Sequence, residues 1–256
     1  MINATDSANN LLNADLSVGI VVALPEELAT LTTARLKQGD CCKLGVNWIV
    51  YSGAGLKNAA AAARLLTTKG VNSLVSWGCA AGLHPQAKPG DLVIAAQVTD
   101  AKHSFEANKN LGEILKNTLP DRLTIFNGNL YTSSTLVHLS QDKQSIYQQS
   151  QAVALDMESV AIAEVAQEAQ LPFLVVRSIA DPVNMDLPQA VVQALNAEGQ
   201  VNLPKLLGYL SWHPLEIPAL IRLGKHFKAA QNTLKIVAQV LQKQQAIVSV
   251  PTNLAL

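Results

Sequence analysis

The sequence predicts an α/β fold, a three-layer α/β/α sandwich built around a central mixed sheet. Short apolar runs alternate along the chain with helix-like segments, and several of the runs end in glycine-containing stretches. The run from Leu171 to Ile179 is bounded by Pro172 and Pro182, is rich in β-branched residues and is too short for a typical helix. It therefore reads as a parallel strand buried on both faces. With 256 residues, 49% of them apolar and 15% charged, the chain has enough material for one large core.

Taken in order, residues 1–16 mix Asn, Asp, Ser and Ala without a basic start or a long apolar stretch, so a flexible tail is expected there, not a signal peptide. Residues 17–256 are expected to form a single domain. Val18 to Leu24 is a short apolar strand, and Pro25 suits the first turn of a helix whose early Glu26 and Glu27 complement its dipole. Trp48 to Tyr51 is the next strand. It breaks at Ser52-Gly53-Ala54-Gly55 before an alanine-rich helix running to about Lys69. Free backbone N–H groups at such a turn suit an anion or a sugar oxygen, though tight strand-to-helix packing explains the glycines equally well. Val71 to Trp77 repeats the pattern and ends in Gly78-Cys79-Ala80-Ala81-Gly82, expected as a second turn; Pro89-Gly90-Asp91 then leads into a strand from Leu92 to Val98. A helix around Leu111 to Asn117, a strand from Leu123 to Phe126, the turn Asn127-Gly128 and Tyr131 follow. Val153 to Leu155 delivers Asp156-Met157-Glu158 to the start of a helix carrying Val160, Ile162, Val165 and Ala166.

The carboxylates matter most. Asp181 ends the strand that Pro182 closes, and the proline keeps it extended at the strand's mouth, where α/β enzymes hold their chemistry. A turn or helix-cap aspartate is the equal alternative from position alone.

The balance of 19 basic and 19 acidic residues provides no field for a nucleic-acid backbone. Neither GxGxxG nor GxxxxGK[ST] is present, so dinucleotide and P-loop binding lack support. Five histidines without ligand spacing and three cysteines without a CxxC pair give no basis for a metal, and adjacent Cys41 and Cys42 with isolated Cys79 suit a reducing, cytoplasmic setting. No stretch reaches the roughly 18 apolar residues of a spanning helix.

Four segments, VGIVVALPEELATL at 18, SGAGLKNAAAAARLL at 52, LVSWGCAAGLHPQAKPGDLVIA at 74 and ALDMESVAIAEVAQEAQLPFLVVRSIADP at 154, together resemble the nucleoside phosphorylase and nucleosidase family. The resemblance implies a phosphorylase/hydrolase-like sandwich with a partly barrel-like sheet, a homo-oligomer with a dimer as first expectation, and cleavage of the N-glycosidic bond of a purine nucleoside. It implies that Asp181 protonates the base, that Glu158 binds the ribose hydroxyls, that Met157 lies beneath the sugar and that Glu27 activates water. Tyr131, Asp156 and Ala180 are similar to base-side positions, and Gly53, Cys79 and Ala80 to the turns that face phosphate or ribose. The chain departs from the pattern at Ala180, where serine usually precedes the aspartate, at Cys79 in place of serine, and at Asp156 in place of glutamate. No cofactor is implied, and inorganic phosphate is a candidate co-substrate; the arginines that hold it in hexameric phosphorylases have no match.

These residue types fit the reaction. Breaking C1′–N9 builds positive charge on the sugar and negative charge on the base, so it needs an acid for the base and anions near the sugar. An aspartate in a dry pocket has its pKa raised toward that task.

From about residue 186 the chain continues as a helical amphipathic extension that resembles hopanoid-associated phosphorylases, which implies adenosylhopane, an adenine nucleoside with a 5′ lipid, as a candidate substrate. Leu220, Leu223, Phe227, Ala230, Leu234, Val237 and Leu241 form one apolar stripe, and residues 201–245 hold six Lys/Arg against the single acid Glu216. Such a segment lies on an anionic membrane or, more commonly, closes a core or an interface. Two rival readings stand beside the enzyme: a nucleoside-binding or membrane-associated regulatory protein without catalysis, which Ala180 permits, and a thiol hydrolase using Cys79, for which no histidine motif exists.

Overall fold

The computed structural model describes residues 17–196 and 201–248, so the N-terminal tail expected at 1–16 lies outside the described residues. The strands are β1 (Val18–Val22), β2 (Cys41–Leu44), β3 (Asn47–Tyr51), β4 (Ser73–Gly82), β5 (Leu92–Ile94), β6 (Gln97–Thr99), β7 (Ser104–Glu106), β8 (Ile125–Phe126), β9 (Asn129–Thr132), β10 (Ala154–Asp156) and β11 (Phe173–Asp181). The helices are α1 (Pro25–Leu28), α2 (Leu56–Thr68), α3 (Lys109–Thr118), α4 (Ser140–Ser150), α5 (Ser159–Glu168), α6 (Gln189–Ala194), α7 (Leu203–Trp212) and α8 (Ile217–Val248), with a 3-10 turn at Pro214–Glu216.

One mixed sheet runs β2-β3-β1-β4-β10-β9-β6-β7 and branches at β4, which also pairs with β11; β11 leads on to β5 and β8. β1, β4 and β11 are mutually parallel, whereas β10 meets β4 antiparallel. Alternation along β11 explains the three layers. Phe173 and Val175 enter the core shared with Ala59, Ala62, Ala63 and Leu66 of α2 and Val160 to Ala166 of α5. Leu174 and Val176 enter the opposite core with Leu111 and Leu115 of α3 and Leu234, Val237 and Ala238 of α8. Each fully buried Leu or Val contributes about 1.5–3 kcal/mol, so covering both faces is what holds so apolar a strand in place. The alanines of α2 let it pack closely on α5, and Gly55, at a φ of 93° that disfavours other residues, opens that helix.

Two expectations are corrected here. Gly78-Cys79-Ala80-Ala81-Gly82 is not a turn but the second half of β4, because β11 pairs with it from Gly78 to Ala81 and β10 pairs with Ala81 and Gly82. Its small residues serve close approach: a Cβ at Gly78 would sit 2.5 Å from both Arg177 Nη1 and Glu27 Oε1. The strand expected from Leu92 to Val98 is two, β5 and β6, which join β11 and β9 respectively.

The C-terminal stripe divides along α8. Ala230, Leu234 and Val237 are buried, and the last two pack against the sheet as a helix closing the core would. Leu220 instead packs with Ala190, Ala194 and Leu206 in a satellite cluster of α6 and α7.

Candidate active site

Beside the Gly78–Ala81 half of β4, Asp156, Glu158 and Glu27 gather around a cation that the sequence reading passed over, with Asp181 close by at the end of β11. Arg177, in phase with Phe173 and Val175 on β11, is 1% exposed. Its Nη2 lies 2.6 Å from Asp156 Oδ2 and 3.4 Å from Glu158 Oε2, and donates to Ser76 Oγ at 2.8 Å. Its Nη1 donates to the Cys79 carbonyl at 3.3 Å. A lone cation inside an apolar strand is itself a signal, since arginine is almost never fully buried unless paired.

Asp156 ends β10 and has little capacity left for a ligand. It accepts from Thr132 Oγ1 at 2.7 Å, from the Ser159 backbone N–H and from the Ser159 hydroxyl, besides pairing with Arg177. It opens α5 and anchors Arg177. Glu158, at the N-cap of α5, accepts from Gly55 N at 2.9 Å and Met157 N at 3.3 Å, which ties the Gly53–Gly55 turn to the start of α5. Burial pushes its pKa up, partly offset by Arg177. Met157 beside it is half-buried.

Glu27 is the third carboxylate. It lies on α1, which Pro25 starts, and is 2% exposed because three backbone N–H groups hold its carboxylate inside. Oε1 accepts from Cys79 N at 2.7 Å, and Oε2 accepts from Ala23 N at 3.2 Å and Leu24 N at 3.1 Å. Burial raises its pKa from 4.5 to about 7, against the lowering pull of Arg177 and the Cys79 N–H.

Asp181 lies at the last position of β11. The pairing slips between Ile179 and Asp181, which oppose Ala80 and Ala81, so Ala180 is the extra residue of a bulge. A bulge re-aims the side chain that follows it. Asp181 meets Lys143 Nζ of α4 at 2.5 Å and lies in the field of His226 of α8. Burial raises its pKa, and Lys143 and then His226 pull it back. Sequence reasoning missed Lys143, which sits in the polar segment SQDKQSIYQQS and gives no periodic signal.

Of the remaining predicted residues, Tyr131 on β9 is half-buried and packs against the cluster of Leu83, Ala152 and Leu155. Gly53 has a φ of 76°, and a Cβ there would come within 2.5 Å of Gln38 Nε2. Ala80 is buried in β4 opposite Ile179. The Cys79 thiol is pushed well above its ordinary pKa by burial and then by Glu27, which disfavours the thiolate that a thiol hydrolase needs.

Residues 17–207 match the sequence pattern of the phosphorylase superfamily. The chain is 28% identical over 200 residues to the 5′-methylthioadenosine/S-adenosylhomocysteine nucleosidase of Desulfotalea psychrophila, covering 66% of this chain and 85% of that protein. It is 25% identical to the Buchnera aphidicola enzyme of the same name, over 65% of this chain and 84% of that one. Among solved structures, the Neisseria meningitidis 5′-methylthioadenosine/S-adenosylhomocysteine nucleosidase in complex with methylthio-immucillin-A superposes with a TM-score of 0.67 at 19% identity, covering 89% of this chain and 99% of that one. Futalosine hydrolase of Helicobacter pylori superposes with a TM-score of 0.62 at 18% identity, over 88% and 98% of the two chains. The family match over most of the chain, on a mixed sheet flanked by helices, establishes that this protein belongs to the phosphorylase superfamily of nucleoside phosphorylases and nucleosidases.

Proposed function

We infer that the protein hydrolyses the N-glycosidic bond of a 5′-substituted adenine nucleoside, releasing adenine, with water as acceptor. The observation that carries this is Glu27: a buried carboxylate held near pKa 7 takes a proton readily at neutral pH. Among the described residues the buried cations, Arg177 and Lys143, are both already paired with carboxylates, which disfavours a phosphate dianion beside Glu27 and Glu158.

In the reaction, the C1′–N9 electron pair leaves with the base while Asp181 gives its proton to N7. Glu158 binds the ribose hydroxyls, Met157 underlies the sugar and Tyr131 faces the base. Water bonds to C1′ through its oxygen and loses a proton to Glu27. Nucleoside and water are thus converted to adenine and the 5′-substituted ribose, and the two carboxyls exchange protonation states.

A second observation bears on the 5′ group. Leu203, Leu207 and Trp212 of α7, Leu215 of the 3-10 turn and Ile221 at the start of α8 are exposed, Trp212 at 85% and Leu215 at 93%. Lys205 of α7 and Arg222, Lys225 and Lys228 of α8 are exposed on the same two helices. The same helix α8 reaches the site, with His226 acting on Asp181 and Gln231 Nε2 donating to the Glu26 carbonyl at 3.1 Å. Exposed apolar side chains with cations on the same helices suit an anionic membrane, and a site that shares α8 with them suits a nucleoside with a lipid 5′ substituent such as adenosylhopane.

The test is adenine release from methylthioadenosine and from adenosylhopane, each with and without phosphate, in the native protein and in Asp181→Asn. The reading expects phosphate-independent release that falls about 10²–10⁴-fold in the variant. Strictly phosphate-dependent release would overturn water as acceptor, and release from neither substrate would favour the binding protein.

A further inference from the structure

Lys143 is fully buried, yet it comes from an exposed, polar helix. Its ammonium spends all three donors: on Asp181 Oδ2 at 2.5 Å, on the Met185 carbonyl at 2.7 Å and on the Pro182 carbonyl at 3.3 Å. The last two acceptors belong to the segment that follows Asp181, so one side chain ties α4 to the carboxylate and to the chain immediately after it. The N-terminal end of α4 is tied to the same segment as well, since Asp186 Oδ1 accepts from Ser140 N at 2.6 Å and Leu187 N donates to the His138 carbonyl, just before the helix, at 2.8 Å. Placing a lysine in a dry site costs several kcal/mol unless it is paired. An apolar residue would close the same space without that cost, so closing space does not explain Lys143. A fixed charge does.

The geometry points to Lys143 as the positioning residue of the catalytic acid: its ammonium clamps Asp181 through Oδ2, aims Oδ1 toward the base, and does so in place of the hydroxyl that Ala180 cannot supply. This rests on Asp181 being the acid. The clamp is needed because the bulge at Ala180 shifts the register just before Asp181, the last paired residue of β11, and so re-aims its side chain away from the strand's regular alternation. Other charged or titratable groups that act on Asp181 or share its surroundings are His226 of α8, the Cys79 thiol of β4 and, beyond it, Glu27 of α1. None of them donates a hydrogen bond to Asp181 among the described residues, so Lys143 alone sets its orientation.

The experiment compares native protein, Lys143→Met, Lys143→Arg and Asp181→Asn in adenine release from methylthioadenosine across pH. Loss of orientation at a reacting group lowers kcat by about 10²-fold, and Lys143→Met is expected to do so with little change in KM. Its alkaline limb should also move to higher pH, because the cation that favours the ionised carboxylate has gone while burial remains. Lys143→Arg, which keeps the charge, should leave the limb where the native protein has it while kcat stays reduced. A merely structural lysine would lower thermal stability without moving the limb. Native kcat and an unmoved limb in Lys143→Met would overturn the assignment. Should Lys143→Met fail to fold, Lys143→Arg decides: undiminished kcat would show that the position of the ammonium is irrelevant. If Asp181→Asn keeps full activity, the reading of the acid fails first; if it is inactive while both Lys143 variants are native-like, only the role of Lys143 fails.

Discussion

Replacing Glu27 by glutamine should make the stability of the protein less dependent on pH, and the size of the effect follows from burial. The carboxyl titrates at 4.5 when exposed and at about 7 in the fold, a difference of about 2.5 units. At roughly 1.4 kcal/mol per unit, ionising it in the folded state costs about 3 kcal/mol. Because the folded pKa is the higher one, the folded state is favoured fully below pH 4.5, and that advantage is lost as pH rises to about 7. Above that the native protein carries the whole penalty. The variant's amide has nothing to ionise. Glutamine also cannot accept from Cys79 N at one end and from Ala23 N and Leu24 N at the other, so the variant loses on the order of 1–3 kcal/mol at every pH. The two effects separate cleanly, one as an offset and one as a slope. Urea unfolding of both proteins at intervals from pH 4 to 9 measures the difference in unfolding free energy. The difference should turn toward the variant by about 3 kcal/mol between those limits. A difference that stays flat across that range would refute the claim that Glu27 is held near neutrality by burial, and with it the case for its role as base.

Arg177→Met should destabilise the protein by about 3–5 kcal/mol, seen as a lower urea midpoint, because Asp156 and Glu158 stay buried without their cation. Gly78→Ala should fold but lose activity by about 10²-fold, since the added Cβ drives Arg177 and Glu27 apart; unchanged kcat would mean the two side chains yield without effect on the reaction. Replacing Trp212 and Leu215 together by serine should abolish co-flotation with vesicles containing anionic lipid while leaving release of adenine from methylthioadenosine intact; absence of flotation by the native protein would remove the membrane contact.

Local pattern was enough to locate the strands at 18, 47, 154 and 173 and the helices at 56, 109 and 159, because a residue's face in a strand or helix is set by a period of 2.0 or 3.6. Pro182 marked where β11 stops and so where Asp181 stands. Glu27 and Glu158 were visible for a similar reason, lying at helix starts directly after strands. Local pattern failed at Gly78 to Gly82, whose small residues read as a turn. Their size answers the close approach of Arg177 and Glu27, which come from 99 and 51 residues away in the chain and leave no local trace. The strand from Leu92 broke in two for the same kind of reason, since its halves pair with β11 and β9. Lys143 shows the limit most sharply. Its helix carries no apolar stripe, and its partner is 38 residues away across two other elements. The layers, the strand ends and the carboxylates that stand at them were thus written in the order of residues along the chain. Which cation meets which carboxylate, and how far burial shifts each one, was decided by the fold, because desolvation and ion pairing depend on what surrounds a group in space and not on its neighbours in sequence.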